Sequence, residues 1–390
     1  MVRFCTSVLI MVLLFVALTM SGCNQAKDDA IHIGVIAELT GDIPAVGASC
    51  KNAAEMAVKA VNDTGGIDIG GKKYPLKLQI EDSAGRSDQA ASAAQKLITR
   101  DKVIAIVGPN ASSGAIPASE IAETSKVPLI SPWSTNPKTT LDPRTGKQKT
   151  YVFRACYMDS FQGRVLAAFA MGELKAKRAA VLYDVASEVL KGQAEVFKAT
   201  FEGKGGAVTG FETYTTGNKD FTVQMTKIKN DNPDLIFLPT YYSDVPLQVQ
   251  QARRFGMNVP ILGSDAWGSH DLLGLCGKDC EGSYFSSHFS ANSTAPGVKK
   301  FVDDYRALYG SIPDDVAALT YDSFGILFEA MRKSGKPASE DIKNAIQKIT
   351  GFQGVTGTIT FHEGSGDPEK SVVILQIKDG EFKWFADIKP

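Results

Sequence analysis

Short, continuous apolar runs alternate along the chain with stretches whose apolar residues recur every three or four positions. The runs are Ile31–Leu39, Leu76–Asp82, Val103–Gly108, Val127–Ser131, Tyr151–Ala155, Arg178–Asp184, Leu235–Tyr241 and Val259–Asp265. Most are rich in β-branched residues and do not alternate in polarity, the pattern of parallel strands covered on both faces. Gly47–Asp63 is apolar at Ala53, Met56, Ala57, Ala60 and Val61 and ends at Gly65 and Gly66, a helix with its stop signal. Ser87–Arg100 (with Ser87 as its cap), Asp159–Leu174, Val245–Phe255 and Asp314–Gly335 also read as helices. The alternation predicts an α/β fold of right-handed βαβ units on parallel sheets. Near the C-terminus the rhythm breaks. Val355–Phe361 and Ser371–Ile377 flank His362–Lys370, a Gly/Pro turn that reads as a connection or hinge.

The N-terminus has a different pattern. Arg3 precedes an apolar run, Val8–Met20, too short for a comfortable membrane span, and small residues then lead to Cys23. This reads as an export signal over residues 1–22. MSGC (Met20–Cys23) resembles the lipobox of bacterial lipoproteins, which would make Cys23 a lipidated first residue of the mature chain. The alternative is an ordinary cleaved signal in which Cys23 is incidental. Residues 23–30 form a polar tether. The 390-residue chain is long enough for two domains, each with its own core. Its formal net charge of −1, without a strong basic patch, gives no reason to expect a nucleic acid partner.

Export implies an oxidising compartment. Cys276 and Cys280 sit in a Gly-containing loop and would close a small disulfide ring, with free thiols as the alternative. A zinc site would need ligands that the sequence does not supply nearby. Cys50 and Cys156 read as separate buried thiols, with a pairing left open.

Ligands of open α/β sheets sit beyond the carboxyl ends of strands. After VIAIVG comes PNASSG, and after VPLI comes SPWSTNP. Both place hydroxyls and backbone N–H groups at a strand end, ahead of helix or turn sequence. Helix N-termini bind anions, so two such loops side by side could grip a small carboxylate without a formal positive charge. In the alternative reading Ser112 and Thr135 merely cap their own helices. Two further strand ends bring Asp265 with Trp267, and Tyr241 with Tyr242, to the same rim. Asp265 facing a carboxylate site suggests a ligand that also carries an ammonium. No nucleophile elbow, phosphate loop, zinc-binding helix or dinucleotide fingerprint is present, so an enzyme is not expected, nor a metal or cofactor.

The markers IGVIAELTGDIPAVG, NDTGGI, EDSAGRSDQAASAAQKLI, VGPNASSGAIPAS, PLISPWST, YVFRACYMDSFQG, QQARRFG and LTYDSFGIL occur in this order. Together they resemble the type I periplasmic solute-binding proteins of branched-chain amino acid ABC transporters, over Ile31–Pro390. The resemblance implies two Rossmann-like lobes with parallel sheets, joined by three crossing hinge segments. Lobe 1 would be 31–156 with 289–361, lobe 2 would be 157–288 with 370–390, and 362–369 would be the third crossing. Carried over position by position, Ser112 and Thr135 take the ligand carboxylate, with Ala111 beside Ser112. The Trp133 carbonyl and the Asp265 carboxylate take the ammonium, and Tyr241 comes from the second lobe. Aromatic positions of the family's pocket fall on Val46, Val189 and near Val316, while Trp133 and Trp267 add bulk. A disulfide of the family would join the positions of Gly85 and Ala111, where both cysteines are missing.

The resemblance thus implies an exported, monomeric, membrane-anchored receptor. It would capture an α-amino acid, branched-chain or otherwise apolar, and deliver it to ABC permease subunits. Two alternatives remain: the same fold binding an aromatic or aliphatic carboxylate or an amide, and a ligand-sensing receptor not coupled to transport.

Overall fold

The computed structural model describes residues 29–388. The signal segment 1–22, Cys23 and most of the tether lie outside the described residues. From Ile31 the chain runs β1 (Ile31–Ala37), α1 (Pro44–Asn62), β2 (Ile67–Ile69), β3 (Lys72–Tyr74), β4 (Leu76–Asp82), α2 (Ser87–Thr99), β5 (Ala105–Val107), α3 (Ser112–Ser125), β6 (Leu129–Ser131) and β7 (Val152–Arg154). Strands β4, β1, β5, β6 and β7 form, in that order, an all-parallel sheet. Residues of β1 face alternate ways: Ile33, Val35 and Ala37 join a core with α1, while Ile36 packs with Ala94 and Leu97 of α2 and Ala118 of α3. Burial on both faces is why β1 reads as an unbroken apolar run.

The second lobe contains α4 (Asp159–Gly172), β8 (Arg178–Asp184), α5 (Glu188–Gly203), β9 (Ala207–Tyr214), α6 (Thr222–Asn230), β10 (Leu235–Leu238), α7 (Val245–Arg254), β11 (Ile261–Gly263), α8 (Asp271–Cys276) and β12 (Tyr284–Ser287). The chain then returns to the first lobe as α9 (Val298–Tyr309), α10 (Asp315–Ser334), α11 (Ser339–Ile346), β13 (Phe352–Gly354), β14 (Gly357–Phe361) and β15 (Pro368–Glu369). It finishes in the second sheet with β16 (Val372–Lys378) and β17 (Glu381–Ile388), giving the order β17, β16, β12, β11, β10, β8, β9. That sheet is parallel from β12 to β9, with an antiparallel edge at β16 and β17.

Several local details differ from the sequence reading. Ser87 is the first residue of α2, not its cap; Arg86 holds the cap position, and the Ser87 hydroxyl donates to the Ser113 carbonyl. Within the His362–Lys370 turn, β15 pairs back onto β14, and Arg154 donates its backbone N–H to the Gly366 carbonyl. Cys276 and Cys280 are disulfide-bonded, whereas Cys50 and Cys156 are separate buried thiols.

Candidate functional site

Glycine ends β5 for a steric reason. Gly108 has φ +94°, and a Cβ there would stand 2.1 Å from the Ile36 carbonyl oxygen. The following loop is pinned from below by Glu38 at the end of β1. Glu38 accepts from the backbone N–H groups of Asn110 and Ala111, each at 3.0 Å, and from Asn110 Nδ2 at 2.9 Å. Its burial raises the carboxyl pKa, against the lowering effect of those bonds. Ala111 is the N-cap of α3, in extended conformation and with no side-chain cap, so Ser112 is the first helical residue and does not cap its own helix.

The β6 loop is tied to this helix. Ser131 donates to the Pro109 carbonyl at 2.6 Å. Ser134 donates to Ser112 Oγ at 2.8 Å and shares a 2.6 Å bond with Thr139 Oγ1. Since the Ser134 proton goes to Ser112, Thr139 is the donor to Ser134. The relay therefore leaves the Ser112 proton to be donated onward. Thr135 does not cap a helix either: Asn136 caps the following short helix by accepting from Lys138 N at 2.9 Å. The whole loop hangs on Arg154, fully buried, which donates to the carbonyls of Ser134 (2.6 Å) and Asn136 (2.9 Å), to Thr140 Oγ1 (2.8 Å) and to Asp367 (2.6 Å).

The second lobe brings acids opposite these hydroxyls. Asp265 follows β11 at the start of a short helical turn. Its Oδ1 accepts from Gln193 Nε2 at 3.3 Å, and its Oδ2 lies 3.2 Å from His288 Nε2. A carboxylate only accepts, so His288 carries its proton on Nε2. Burial pushes the His288 pKa down, favouring the neutral ring, which stacks on Tyr157 at 3.8 Å. Asp159 opens α4, donates its N–H to the Thr135 carbonyl at 2.9 Å and accepts from Gln193 Nε2 at 2.9 Å. Burial and the nearby Asp265 charge raise its pKa to about 7.

Some of these groups line one partly open cavity. Of the residues singled out from the sequence, Ala111, Ser112, Trp133, Thr135, Val189, Tyr241 and Asp265 line it. The Trp133 and Tyr241 rings lie 6.3 Å apart, one from each lobe, and Trp133 Nε1 donates to Asp315 at 3.3 Å. Of the expected positions, Trp267, Val46, Tyr242 and Val316 do not line the cavity, and the last two are buried in the core. Trp267 is fully buried: its ring lies over Gly263, where a Cβ would be 2.3 Å away, and its Nε1 donates to the Leu238 carbonyl at 3.1 Å. Val46 is turned inward by the first turn of α1 and joins the first-lobe core. Asn110, Leu190, Gln193 and Ala266 line the cavity without having been singled out. Asn110, Leu190 and Ala266 adjoin residues that were; Gln193 lies one helical turn beyond Val189.

A family model described as periplasmic binding protein matches residues 30–381. A leucine-binding protein from Thermotoga maritima superposes with TM-score 0.85 at 33% identity, over 93% of this chain and 99% of that one. This chain is a type I periplasmic binding protein of the branched-chain amino acid family. The binding protein is similar to other members across nearly its whole length. The substrate-binding protein of a branched-chain amino acid transporter from Streptococcus pneumoniae, solved with isoleucine, has TM-score 0.85 and 31% identity over 93% of this chain and all of that one. A Leu/Ile/Val-binding protein from Rhizobium johnstonii is 30% identical over 86% of this chain and 88% of its own. The fold expected from the sequence, two α/β lobes around a ligand cleft, is the family's fold.

Proposed function

We propose that this binding protein captures an α-amino acid between its lobes and delivers it to an ABC permease. The first lobe receives the carboxylate through the Ser112 hydroxyl, the first turn of α3 and Thr135. The second lobe then closes with Tyr241 and Asp265, and Asp265 pairs with the ammonium, joined by the Trp133 carbonyl. Closure is a population shift, driven by contacts that exist only when both lobes touch the ligand. Val189 and Leu190 offer the apolar wall that meets the side chain. One methylene in such a wall discriminates by only about 1–3 kcal/mol, so several aliphatic amino acids would be accepted. The chain acts as an exported monomer, held at the membrane by a lipid on Cys23.

The observation that carries this reading is the division of labour in one cavity: a hydroxyl relay ending at Ser112 on one lobe and the Asp265 carboxylate on the other. The names of the relatives, which bind leucine, isoleucine and valine, support the ligand class. A thermal-shift screen of the chain from Asp28, unfolded and refolded to strip bound solute, tests it. A saturating amino acid should stabilise the protein by about 2.7 kcal/mol at a hundred times its Kd. Stabilisation by acids or amides but by no amino acid would overturn the ligand assignment.

A further inference from the structure

Gln193 lies on α5, is 1% exposed and lines the cavity. Its Nε2 stands 2.9 Å from Asp159 Oδ1 and 3.3 Å from Asp265 Oδ1. The reverse amide orientation would press its oxygen against two acceptor oxygens, so the orientation follows from its neighbours. Gln193 Oε1 is thereby turned to the other side, buried and without a protein partner. On the second-lobe side Gln193 therefore brings an unpartnered acceptor to the cavity lining, and an occupant that supplies an N–H satisfies it. Asp265 already spends one lone pair of each oxygen on Gln193 and His288, so the Gln193 oxygen adds an acceptor beside it.

We infer that Gln193 is a specificity-determining residue: its side-chain oxygen accepts one N–H of the ligand's ammonium beside the Asp265 carboxylate. This rests on the amino acid reading and deepens it. The carboxylate is read by the first lobe, and the ammonium by a carboxylate and an amide oxygen brought by the second. A ligand without the ammonium docks on the first lobe and leaves Gln193 unsatisfied. A ligand whose nitrogen has lost an N–H to a methyl group is penalised through the same contact.

Calorimetry on the full mature chain, with leucine, N-methyl-leucine and 4-methylpentanoate as probes, tests this. Gln193→Leu should weaken leucine roughly ten- to a hundredfold and 4-methylpentanoate far less. The penalty for N-methylation should shrink in that variant. Gln193→Met, closer in volume, should behave the same, and it serves if Gln193→Leu does not fold. Equal loss for leucine and 4-methylpentanoate, or an unchanged N-methyl penalty, would overturn the role of Gln193 while leaving the amino acid reading intact. If the wild-type chain binds neither leucine nor any other amino acid, the amino acid reading fails, and this inference with it.

Discussion

The Ser134 hydroxyl donates to the Ser112 hydroxyl over 2.8 Å, which joins the loop after β6 to the first turn of α3. The pairing fixes where the Ser112 proton goes: away from the relay and toward the cavity that Ser112 lines. Each hydrogen bond to a charged carboxylate contributes about 1.5–3 kcal/mol. Ser112→Ala and Thr135→Ala should each weaken ligand binding roughly ten- to a hundredfold by calorimetry, with melting of the ligand-free protein little changed. Ser134→Ala, outside the cavity lining, should also weaken binding, because Ser112 then loses the donor that orients it. Normal affinity in the Ser112→Ala, Thr135→Ala double variant would remove the carboxylate assignment.

Asp265 separates ligands by charge. Asp265→Ala should weaken an amino acid far more than its deaminated acid, since only the former presents an ammonium to it. Competition titrations with the two probes read the ratio directly. Equal losses for both would strip Asp265 of that role.

Asp159 makes stability depend on pH. Its carboxyl titrates at about 7 in the folded chain, against 3.8 for a free one. Between those values the folded state holds a proton that the unfolded state has released. Stability from this group is therefore present at low pH and is lost as pH rises toward about 7, with no further change above. The groups facing it are Asp265, which raises the value, and Arg154, Gln193 and Thr135, which lower it. Asp159→Asn removes the slope. Urea unfolding of ligand-free protein from pH 4.5 to 7.5 should show the variant gaining on wild type as pH rises. A constant difference across that range would contradict the assignment.

Arg154 and Asp367 tie the end of β7 to the His362–Lys370 turn, 2.6 Å apart with the guanidinium fully buried. Removing one member of a buried pair costs about 3–5 kcal/mol. Arg154→Met should therefore lower unfolding stability by that amount. It should also weaken ligand binding, because the Ser134 and Asn136 carbonyls lose their donor. Asp367→Asn, which keeps a hydrogen-bonding group, should lose less stability and almost no affinity. If Arg154→Met bound ligand normally, the loop would not depend on Arg154 for its shape.

The lobes and half the site were legible for physical reasons. Strands such as β1 and β8 are buried on both faces, so their apolar runs stand out. β9 and β17 are edge strands, largely half-exposed or exposed and interrupted by polar residues, so no apolar run marks them. Ser112, Thr135 and Asp265 were found because each follows a strand end, where the sheet's geometry puts ligands. That rule gives a residue's position and not its direction, so Trp267 was placed at the rim although its ring packs over Gly263. Gln193 gave no signal. A polar residue on an amphipathic helix reads as solvated, and only the approach of Asp159 and Asp265 from elsewhere in the chain buries it.

The most direct measurement is calorimetry of the refolded mature chain with three forms of one aliphatic ligand: leucine, its deaminated acid and leucinamide. Tight binding of leucine, with both altered forms weaker by a hundredfold or so, is expected if the two lobes read the two charged groups separately. Equal binding of leucine and either altered form would show that one charged end goes unread, and would contradict the clamp.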